Sequence, residues 1–483
     1  MDYQSTRSKI KTDPVNAVLQ GLSPDGGLFV DPAIDSISFD WRSCLKKNTQ
    51  DMAVMILSTL LPDFKDMESL VKQAYSGKFE SEDLTPVVKV GNYHILELFR
   101  GPTSAFKDVA LSMLPRLVTA ARTQTGMKKE ITILTATSGD TGKAALEGFK
   151  DVPGTRIIVF FPDSGVSLVQ QMQMTTQEGA NVCVCAVKGN FDDCQRGVKQ
   201  AFSELRETLK DRPYTLSSAN SINIGRLAPQ VVYYFAAYRD MIADGTIKEG
   251  DRVDYCVPTG NFGDILAGFY AKLMGLPVGK LICASNANNV LTDFINTGKY
   301  DRKRPFYKTD SPSMDILVSS NLERLLFLAC GKDESKVASW MNSLNETGEF
   351  TVDEKTLSYI RDSFEAGFCD QKETEEAISK CWNENHYLCD PHTAVAYSVA
   401  DKRKNSNPVV VLSTASPYKF PQAVLRALGE KEEGNGFEQM KRLNKISGVR
   451  IPENLRTLEG KTIRFKESID SDKIVPYVLS KLN

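Results

Sequence analysis

A lysine behind two apolar residues is the first candidate for chemistry in this sequence. The segment LFRGPTSAFKDVALSML places Lys107 directly after Ala105 and Phe106, at or near the start of a helical stretch. Apolar neighbours and the positive end of a helix both lower the pKa of an amine, which is what a Schiff-base lysine needs. Most lysines are solvated surface charges, so the residue type alone leaves both interpretations open.

Two loops rich in glycine and small hydroxyl residues each follow a predicted strand. In PTGNFGD, Gly260 and Gly263 let the backbone come close to an anion, and the next helix offers free N–H groups. The alternative is a tight strand–helix turn, since the pattern is neither a P-loop nor a GxGxxG fingerprint. In TATSGDTG, Thr137, Ser138 and Thr141 could donate to a carboxylate or could cap a helix that begins near residue 143.

The elements that must position these loops alternate between strands and helices from about residue 86 onward. Predicted strands are TPVVKVG, YHILELF, ITILTATSG, RIIVFFP, NVCVCAV, YTLSSAN, RVDYCVPTG, KLICASN and VVVLSTAS. Such alternation is typical of parallel sheets covered by helices on both faces. Open parallel sheets bind ligands at the carboxyl ends of their strands, where the candidate loops lie.

Three stretches depart from this alternation. Residues 1–85 are predicted to be mostly helical, and residues 295–380 are charged and helical with no clear strand, which suggests an insertion. Residues 431–483 form a charged C-terminal extension. We therefore predict an N-terminal domain over 1–85, a core in two lobes over 86–430, and the extension.

Composition narrows the class of protein. The 483 residues include 59 Lys and Arg against 61 Asp and Glu, a net charge of −2, with 41% hydrophobic residues. This balance leaves no basic footprint for nucleic acid or for an anionic membrane. No apolar run resembles a signal peptide or approaches the roughly 18 residues of a spanning helix, so we expect a cytoplasmic, globular protein.

Cysteine and histidine add little chemistry. The ten cysteines contain no CxxC pair, and Cys183 and Cys185 lie on one face of a predicted strand, as buried thiols do. A histidine-based metal site or a Ser-His-Asp triad would have to use His94, His386 or His392. None of the three has a suitable partner nearby in the sequence, so we expect no metal.

Taken together, the segments resemble the threonine synthase family, pyridoxal-phosphate enzymes of the tryptophan-synthase-β-like fold, or fold type II. The resemblance runs nearly end to end, in the family's order, through YQSTR, LQGLSPDGGLFV, FRGPTSAFKD, TATSGDTG, NSINIGRLAPQ, PTGNFGDILAG, SNANNVLTDF, SPSMDILVSSNLER, DPHTAVAY and LSTASPYKFP. It implies an α/β fold with doubly wound, mainly parallel sheets in two lobes and a mostly helical N-terminal domain.

The resemblance also implies roles for matching positions. Lys107 would hold pyridoxal 5'-phosphate as a Schiff base and then move protons, and Thr414 would hydrogen-bond the pyridine nitrogen. The remaining cofactor positions are Phe106, Asp140, Gly260, Asn261, Phe262, Gly263 and Asp264. Among these, the loop from Gly260 to Gly263, called the glycine loop below, would surround the cofactor phosphate. Asp140 would lie near the ring hydroxyl.

The implied substrate is O-phospho-L-homoserine, which carries two anionic groups. Thr137, Ser138 and Thr141 would bind its carboxylate, and the positions for its phosphate are Asn220, Ser221 and Arg226. A guanidinium suits a phosphate best, because its fork of donors matches the phosphate oxygens. The implied reaction is γ-elimination of phosphate and addition of water at Cβ, which gives L-threonine, with the chain acting as a monomer.

Three other functions stay open at the level of the sequence. A related phospho-lyase would use the same lysine but would release 2-oxobutyrate, ammonia and phosphate. A serine/threonine dehydratase would have no need of the NSINIGR segment. A cofactor-free binding protein could keep only the fold.

Two positions depart from the family, which usually has histidine where this chain has Arg100 and Ser416. Arg100 either helps to hold an anion or pairs with a nearby carboxylate.

Overall fold

The computed structural model describes residues 2–164, 166–404 and 406–482, except for the side chains of Asp192 and Arg206. Within these ranges the strands are β1 (Tyr3–Ser5), β2 (Lys11–Thr12), β3 (Phe29–Val30), β4 (Val87–Val90), β5 (Tyr93–Glu97), β6 (Glu130–Ala136), β7 (Thr155–Pro162), β8 (Val182–Lys188), β9 (Tyr214–Ser218), β10 (Val253–Pro258), β11 (Val278–Ser285), β12 (Lys299–Asp301), β13 (Glu349–Thr351), β14 (Phe364–Phe368), β15 (Val409–Ser413) and β16 (Ser468–Asp470).

The α-helices of the same ranges lie between and after these strands. They are α1 (Pro14–Gln20), α2 (Trp41–Leu45), α3 (Thr49–Leu60), α4 (Met67–Tyr75), α5 (Lys107–Gln124), α6 (Asp140–Phe149), α7 (Leu168–Thr175), α8 (Phe191–Thr208), α9 (Ile224–Leu227), α10 (Val231–Ala243), α11 (Gly263–Leu273), α12 (Val290–Thr297), α13 (Leu322–Ala329), α14 (Glu334–Glu346), α15 (Glu354–Ser363), α16 (Gln371–Asn385), α17 (Pro391–Lys402), α18 (Pro421–Ala427), α19 (Gly436–Ser447), α20 (Glu453–Arg456) and α21 (Ile474–Leu482).

The larger sheet has six strands in the order β14–β11–β10–β15–β5–β4. Its neighbouring strands are parallel, except for the antiparallel pair β4 and β5. The central strands β10 and β15 are buried along their whole length. Burial on both faces explains why their sequences, VDYCVP and VVVLS, are almost continuously apolar.

The smaller sheet is entirely parallel, with five strands in the order β16–β8–β7–β6–β9. Helices α6 and α8 pack against its strands, as α11 and α17 pack against those of the larger sheet. The fold class predicted from the sequence, a doubly wound and mainly parallel α/β fold in two lobes, is therefore confirmed.

The first 85 residues contain more than helices. Strands β1, β2 and β3 form a small antiparallel sheet in the order β2–β1–β3, which accompanies helices α1–α4. The four helices begin at side-chain caps, Asp13, Asp40, Asn48 and Asp66, each of which accepts a backbone N–H. The helical prediction holds for α1–α4, while the three short strands were too brief to give a period-2 pattern.

Residues 295–380 contain strands, so the prediction of a stretch without strands is wrong. Strands β12 and β13 pair with each other, and β14 is an edge strand of the larger sheet beside β11. The β14 sequence FEAGF includes Glu365 and Gly367 and is only partly buried over most of its length. An edge strand with one partner does not need the apolar run by which buried strands are recognised.

Helices α5 and α6 approach each other closely, and this contact fixes Lys107 and Asp140, the first residues of the two helices. Gly148 of α6 lies against the α5 backbone, where an added Cβ would stand 2.0 Å from the carbonyl oxygen of Leu111. Backbone atoms cannot move aside as a flexible side chain can. The relative position of the two helix N-termini therefore depends on this glycine.

No helix in the described ranges is both long and apolar enough to cross a bilayer. The ten cysteines are free, and on β8 Cys185 is buried while Cys183 is half-buried. The prediction of buried thiols on that strand is therefore confirmed for Cys185 and only partly met by Cys183.

We predict that Gly148→Ala lowers the free energy of unfolding by about 2 kcal/mol or more, because the new methyl overpacks the α5 backbone. Urea denaturation followed by circular dichroism measures the change. Gly436→Ala is the matched control, since its Cβ meets nothing nearer than 3.4 Å, and it should stay within about 0.5 kcal/mol of the parent. Equal stability of the two variants would contradict the argument.

Candidate active site

A cavity of roughly 1000 Å³ lies at the carboxyl ends of strands from both sheets. Its walls include the loops that follow β6, β9, β10 and β15, the start of α5, and a part of the N-terminal region near residues 16–26. All fifteen site residues predicted from the sequence line it: Phe106, Lys107, Thr137, Ser138, Asp140, Thr141, Asn220, Ser221, Arg226, Gly260, Asn261, Phe262, Gly263, Asp264 and Thr414. The structure thus brings together segments that are far apart in the chain.

Lys107 is the first residue of α5 and its side chain is nearly buried, with 7% of the residue exposed. Its Nζ lies 4.4 Å from the centre of the Phe106 ring and 3.9 Å from Oδ2 of Asp140. Burial lowers the pKa of the amine to about 8, an effect that Asp140 partly opposes. A lysine amine that loses its proton near neutral pH is suited to attack a carbonyl carbon.

The segment before Lys107 is held by the segment that follows β15. The backbone N–H of Phe106 donates to the carbonyl of Thr414 at 2.8 Å, and Ala105 and Ala415 form a β-bridge. Ser416, one of the two departures from the family, donates its N–H to the carbonyl of Ser104. The predicted Thr414 position therefore lies beside the lysine because of backbone hydrogen bonds.

A second set of contacts fixes the GPTS turn itself. Asp108 accepts hydrogen bonds from the N–H and the hydroxyl of Thr103 at 2.8 and 2.5 Å. Ser104 has a left-handed backbone (φ +58°), which costs free energy for a residue with a Cβ. Asn454 of the C-terminal extension accepts from the Ser104 hydroxyl and donates to the carbonyl of Pro102. These contacts hold the strained turn in place.

The glycine loop leads into a helix whose first turn has no side-chain cap. Helix α11 begins at Gly263, and Phe262 before it has a left-handed backbone (φ +61°) and no capping side chain. A Cβ on Gly260 would stand 2.5 Å from the carbonyl oxygen of Ser313, so only glycine fits there. Free N–H groups at the positive end of a helix form a site for a phosphate.

Asp264, the next residue, is an acidic group in this cavity. Its Oδ1 accepts from the hydroxyls of Tyr233 and Tyr234, while Oδ2 is buried with no partner among the described residues. Burial raises the pKa of the carboxyl to about 6, although both tyrosines and Lys107 oppose the rise.

The small-residue loop supports the start of a helix, which is one of the two interpretations that the sequence left open. The Thr137 hydroxyl oxygen accepts the N–H groups of Gly139 and Gly142, each at 2.9 Å, so it supports the first turn of α6. That helix begins at Asp140, three residues before the predicted start. Ser138 and Thr141 are half-buried at the cavity wall, where their hydroxyls can reach a ligand.

Arg226 is a buried cation that has no anionic partner among the described residues. It lies in α9, 4% exposed, and its Nη1 donates to the carbonyl of Ala219 at 2.7 Å. Its Nε has no hydrogen-bond partner among the described residues, and nor does Oδ1 of the neighbouring Asn220. Burial lowers the pKa of the guanidinium to about 10. A buried charge of this kind is costly unless an anion pairs with it, so this part of the cavity fits an anionic ligand.

Arg100, the other departure from the family, is outside the cavity. Its guanidinium pairs with Glu97 at 2.5 Å and with Glu80 at 3.1 Å. Of the two alternatives that the sequence left open, pairing with nearby carboxylates is the one found in the structure.

Two residues that sequence reasoning missed belong to the site. Lys419 is completely buried, with its Nζ 2.6 Å from Oδ1 of Asp140. His392 lines the cavity, and its Nδ1 lies 2.6 Å from Oδ2 of Asp390, so the expectation that no histidine has a suitable partner is wrong. The signal for the histidine was the DPH segment, because Asp390 caps α17 and thereby reaches the ring.

These features fit one cofactor chemistry. A lysine with a lowered pKa, an uncapped helix N-terminus for a phosphate and close glycine backbone are what a pyridoxal phosphate requires of its protein. Groups of three or more potential metal ligands are absent from the described residues. The site therefore has the chemistry of the pyridoxal-phosphate-dependent enzymes.

Comparison with known families agrees with this class. Residues 79–414 match the family described as pyridoxal-phosphate dependent enzyme. Residues 2–75 match the family described as threonine synthase N terminus, and residues 393–474 match threonine synthase, C-terminal. The chain belongs to the threonine synthase family.

Individual relatives give the same result. Threonine synthase of Saccharomyces cerevisiae is 38% identical, over 98% of this chain and 96% of its own. The PLP-bound threonine synthase from Brucella melitensis superposes with a TM-score of 0.87 at 38% identity, covering 100% of this chain and 98% of that one. The human protein named threonine synthase-like 1 is 41% identical over 86% of this chain. The match covers 58% of the length of that human protein.

The pKa of Lys107 predicts a pH-dependent cost of folding. Its pKa is about 8 in the folded protein against an ordinary 10.5. The cost of burying the charge is therefore complete below pH 8 and is lost as the pH rises towards 10.5. We predict that Lys107→Met raises the free energy of unfolding of the cofactor-free protein at pH 7 by about 2–3 kcal/mol.

Urea denaturation at pH 7, 8, 9 and 10 measures this gain, which should shrink over the upper part of the range. Lys372→Met, at a lysine with an 84% exposed side chain, is the control and should change little at any pH. A Lys107→Met variant no more stable than the parent at pH 7 would show that the amine is not desolvated.

Proposed function

We propose that this protein is a threonine synthase that converts O-phospho-L-homoserine and water into L-threonine and phosphate with pyridoxal 5'-phosphate. The observation that carries the proposal is that Arg226, which has no anionic partner among the described residues, lies in the same cavity as Lys107 and the uncapped start of α11. A phosphorylated amino acid and a phosphorylated cofactor need separate phosphate sites. The cavity offers one at each of these two positions.

The residues divide into three anion-binding groups around Lys107. The loop from Gly260 to Gly263 and the start of α11 would hold the cofactor phosphate. Arg226, with Asn220 and Ser221, would hold the substrate phosphate. The loop at Thr137, Ser138 and Thr141 would hold the substrate carboxylate.

Pyridoxal phosphate, when bound, supplies an electron sink that makes protons on the substrate carbons acidic. Lys107 would hold its aldehyde carbon and would act as a neutral amine that takes and returns protons. The hydroxyl of Thr414 would face the ring nitrogen, and Asp140 would face the ring hydroxyl. A hydroxyl partner leaves the ring nitrogen less protonated than a carboxylate would, which disfavours transamination.

The overall change requires protons to move between three substrate carbons. The bond between Cγ and the phosphate oxygen breaks, water forms a new bond at Cβ, and the protons lost from Cα and Cβ are replaced at Cα and Cγ. Lys107 would carry them, because it is the buried lysine among those that line the cavity. Burial of its side chain favours the neutral form that such transfers need.

A phospho-lyase that releases 2-oxobutyrate, ammonia and phosphate is the second candidate. It would use the same lysine and the same phosphate site. The candidate stays open because both reactions need both of these features.

An assay of all products separates the two candidates. The cofactor-loaded protein is incubated with O-phospho-L-homoserine, and phosphate, threonine and 2-oxobutyrate are measured together. Threonine in equal amount to phosphate supports the synthase. Phosphate with 2-oxobutyrate would replace it by the phospho-lyase, and no phosphate at all would contradict both.

Domain boundaries and the state in solution belong to the same proposal. We infer an N-terminal domain over 1–85, a catalytic core over 86–430 and an extension over 431–483; the change of matching family between residues 75 and 79 supports the first boundary. We further infer, from the resemblance and the charge balance, that the protein is a cytoplasmic monomer that binds no nucleic acid. Light scattering after size exclusion measures the mass in solution.

We predict that Arg226→Gln lowers kcat/KM for O-phospho-L-homoserine by roughly a hundredfold or more, because a buried charge-assisted contact to the phosphate is lost. Steady-state phosphate release measures it. Arg100→Gln is the matched control, since Arg100 pairs with Glu80 and Glu97 outside the cavity, and it should stay within about threefold. Similar losses in both variants would exclude Arg226 as the phosphate ligand.

A further inference from the structure

Lys419 is a fully buried lysine whose ammonium group contacts the carboxylate of Asp140. It lies in the single-turn helix Pro417–Lys419, directly after the Thr414 segment, and is 0% exposed. Its Nζ lies 2.6 Å from Oδ1 of Asp140 and donates to the carbonyl of Thr103 at 3.2 Å. Lys419 does not line the cavity, so it does not itself contact a ligand there.

Asp140 connects this lysine to the catalytic one. Its Oδ1 also accepts from Nε2 of Gln170 at 2.8 Å, while its Oδ2 faces Nζ of Lys107 at 3.9 Å. One buried carboxylate therefore lies between two lysine side chains. The close pair is Asp140 with Lys419, and the looser one is Asp140 with Lys107.

The difference between the two distances decides how the charge is shared. Without Lys419, the negative charge of Asp140 would act on Lys107 without compensation and would stabilise the protonated amine. With Lys419 in contact, most of that field is neutralised at short range. The looser pair leaves Lys107 free to give up its proton, which its role requires.

We infer that Lys419 is a positioning residue that fixes Asp140 beside the bound cofactor and neutralises it, so that Lys107 is available as a free amine. The inference rests on the proposed function for the role of Lys107, but its geometry does not depend on the substrate.

The other charged groups around these residues act in defined directions. Arg226 and Lys419 lower the pKa of Lys107, whereas Asp140 and Asp264 raise it. Burial raises the pKa of the Asp140 carboxyl, but Lys419, Lys107 and His392 lower it, and the net direction is down. Of these groups, Lys419 alone has an ammonium within hydrogen-bond distance of Asp140.

The test measures the titration of Lys107 directly. Full-length protein freed of cofactor is treated with cyanate, which carbamoylates neutral amines, and the rate at Lys107 is followed by peptide mass spectrometry between pH 6 and 10. Lys372, whose side chain is 84% exposed, is the internal reference. The pH of half-maximal rate gives the midpoint for Lys107.

Three variants should shift the midpoint of Lys107 in different directions. Lys419→Met should raise the midpoint of Lys107 by about one pH unit or more, and Asp140→Asn should lower it by a similar amount. The double variant, which removes both charges, should lie above Asp140→Asn and below Lys419→Met. If Lys419→Met does not fold, Lys419→Gln takes its place, because it keeps a hydrogen-bond donor for Asp140 and removes only the charge.

Lys143→Met is the matched control. Lys143 is another mostly buried lysine, on the same helix as Asp140, and it pairs with Glu147 and Gln177. This variant should leave the midpoint of Lys107 unchanged. An unchanged midpoint in Lys419→Met would overturn the inference, and so would a Lys419→Met shift that is as large in the Asp140→Asn background as in the parent, because Lys419 would then not act through Asp140.

A second readout uses the loaded protein. The pH at which the absorbance of the bound cofactor changes should be higher in Lys419→Met than in the parent and unchanged in Lys143→Met. Both readouts are independent of the substrate. A protein that fails to make threonine but shows these shifts therefore refutes the proposed function alone, and the reverse result refutes only the role of Lys419.

Discussion

Desolvation of the Lys107 amine is the constraint on which the rest of the site depends. A lysine buried at the start of a helix is unfavourable as a cation, and this cost makes it a usable nucleophile. The surroundings must therefore exclude water without supplying a tight anionic partner. Burial of Lys107, which is 7% exposed, meets the first requirement, and Asp140 at 3.9 Å, itself held by Lys419, meets the second.

The same reasoning explains the balance of charge in the cavity. Arg226, Lys107 and the start of α11 present positive charge or free donors, while Asp140 is already paired and burial disfavours ionisation of Asp264. These groups therefore leave positive charge and free N–H donors available to a ligand. Anionic ligands supply what is missing, so binding a phosphorylated cofactor and substrate relieves a cost that the folded protein otherwise carries.

The parts of this arrangement that were predictable from the sequence are those with a local signal. Continuous apolar runs predicted β10 and β15, and the loops after them followed because parallel strands end at a common edge. Lys107, the glycine loop and the small-residue loop could be found in this way, and family resemblance added Arg226 and Thr414.

The parts that could not be predicted depend on contacts between distant segments. Lys419 contacts Asp140 across 279 positions of the chain, and no local pattern distinguishes it from a surface lysine. Strand β14 is recognisable only from its pairing with β11. The charged sequence of the C-terminal extension also gives no local signal for its contacts. Asn454 holds the turn before Lys107, and β16 extends the smaller sheet. Since this extension contacts both the lysine turn and the sheet that carries Asp140, it contributes to the geometry of the site although none of its residues lines the cavity.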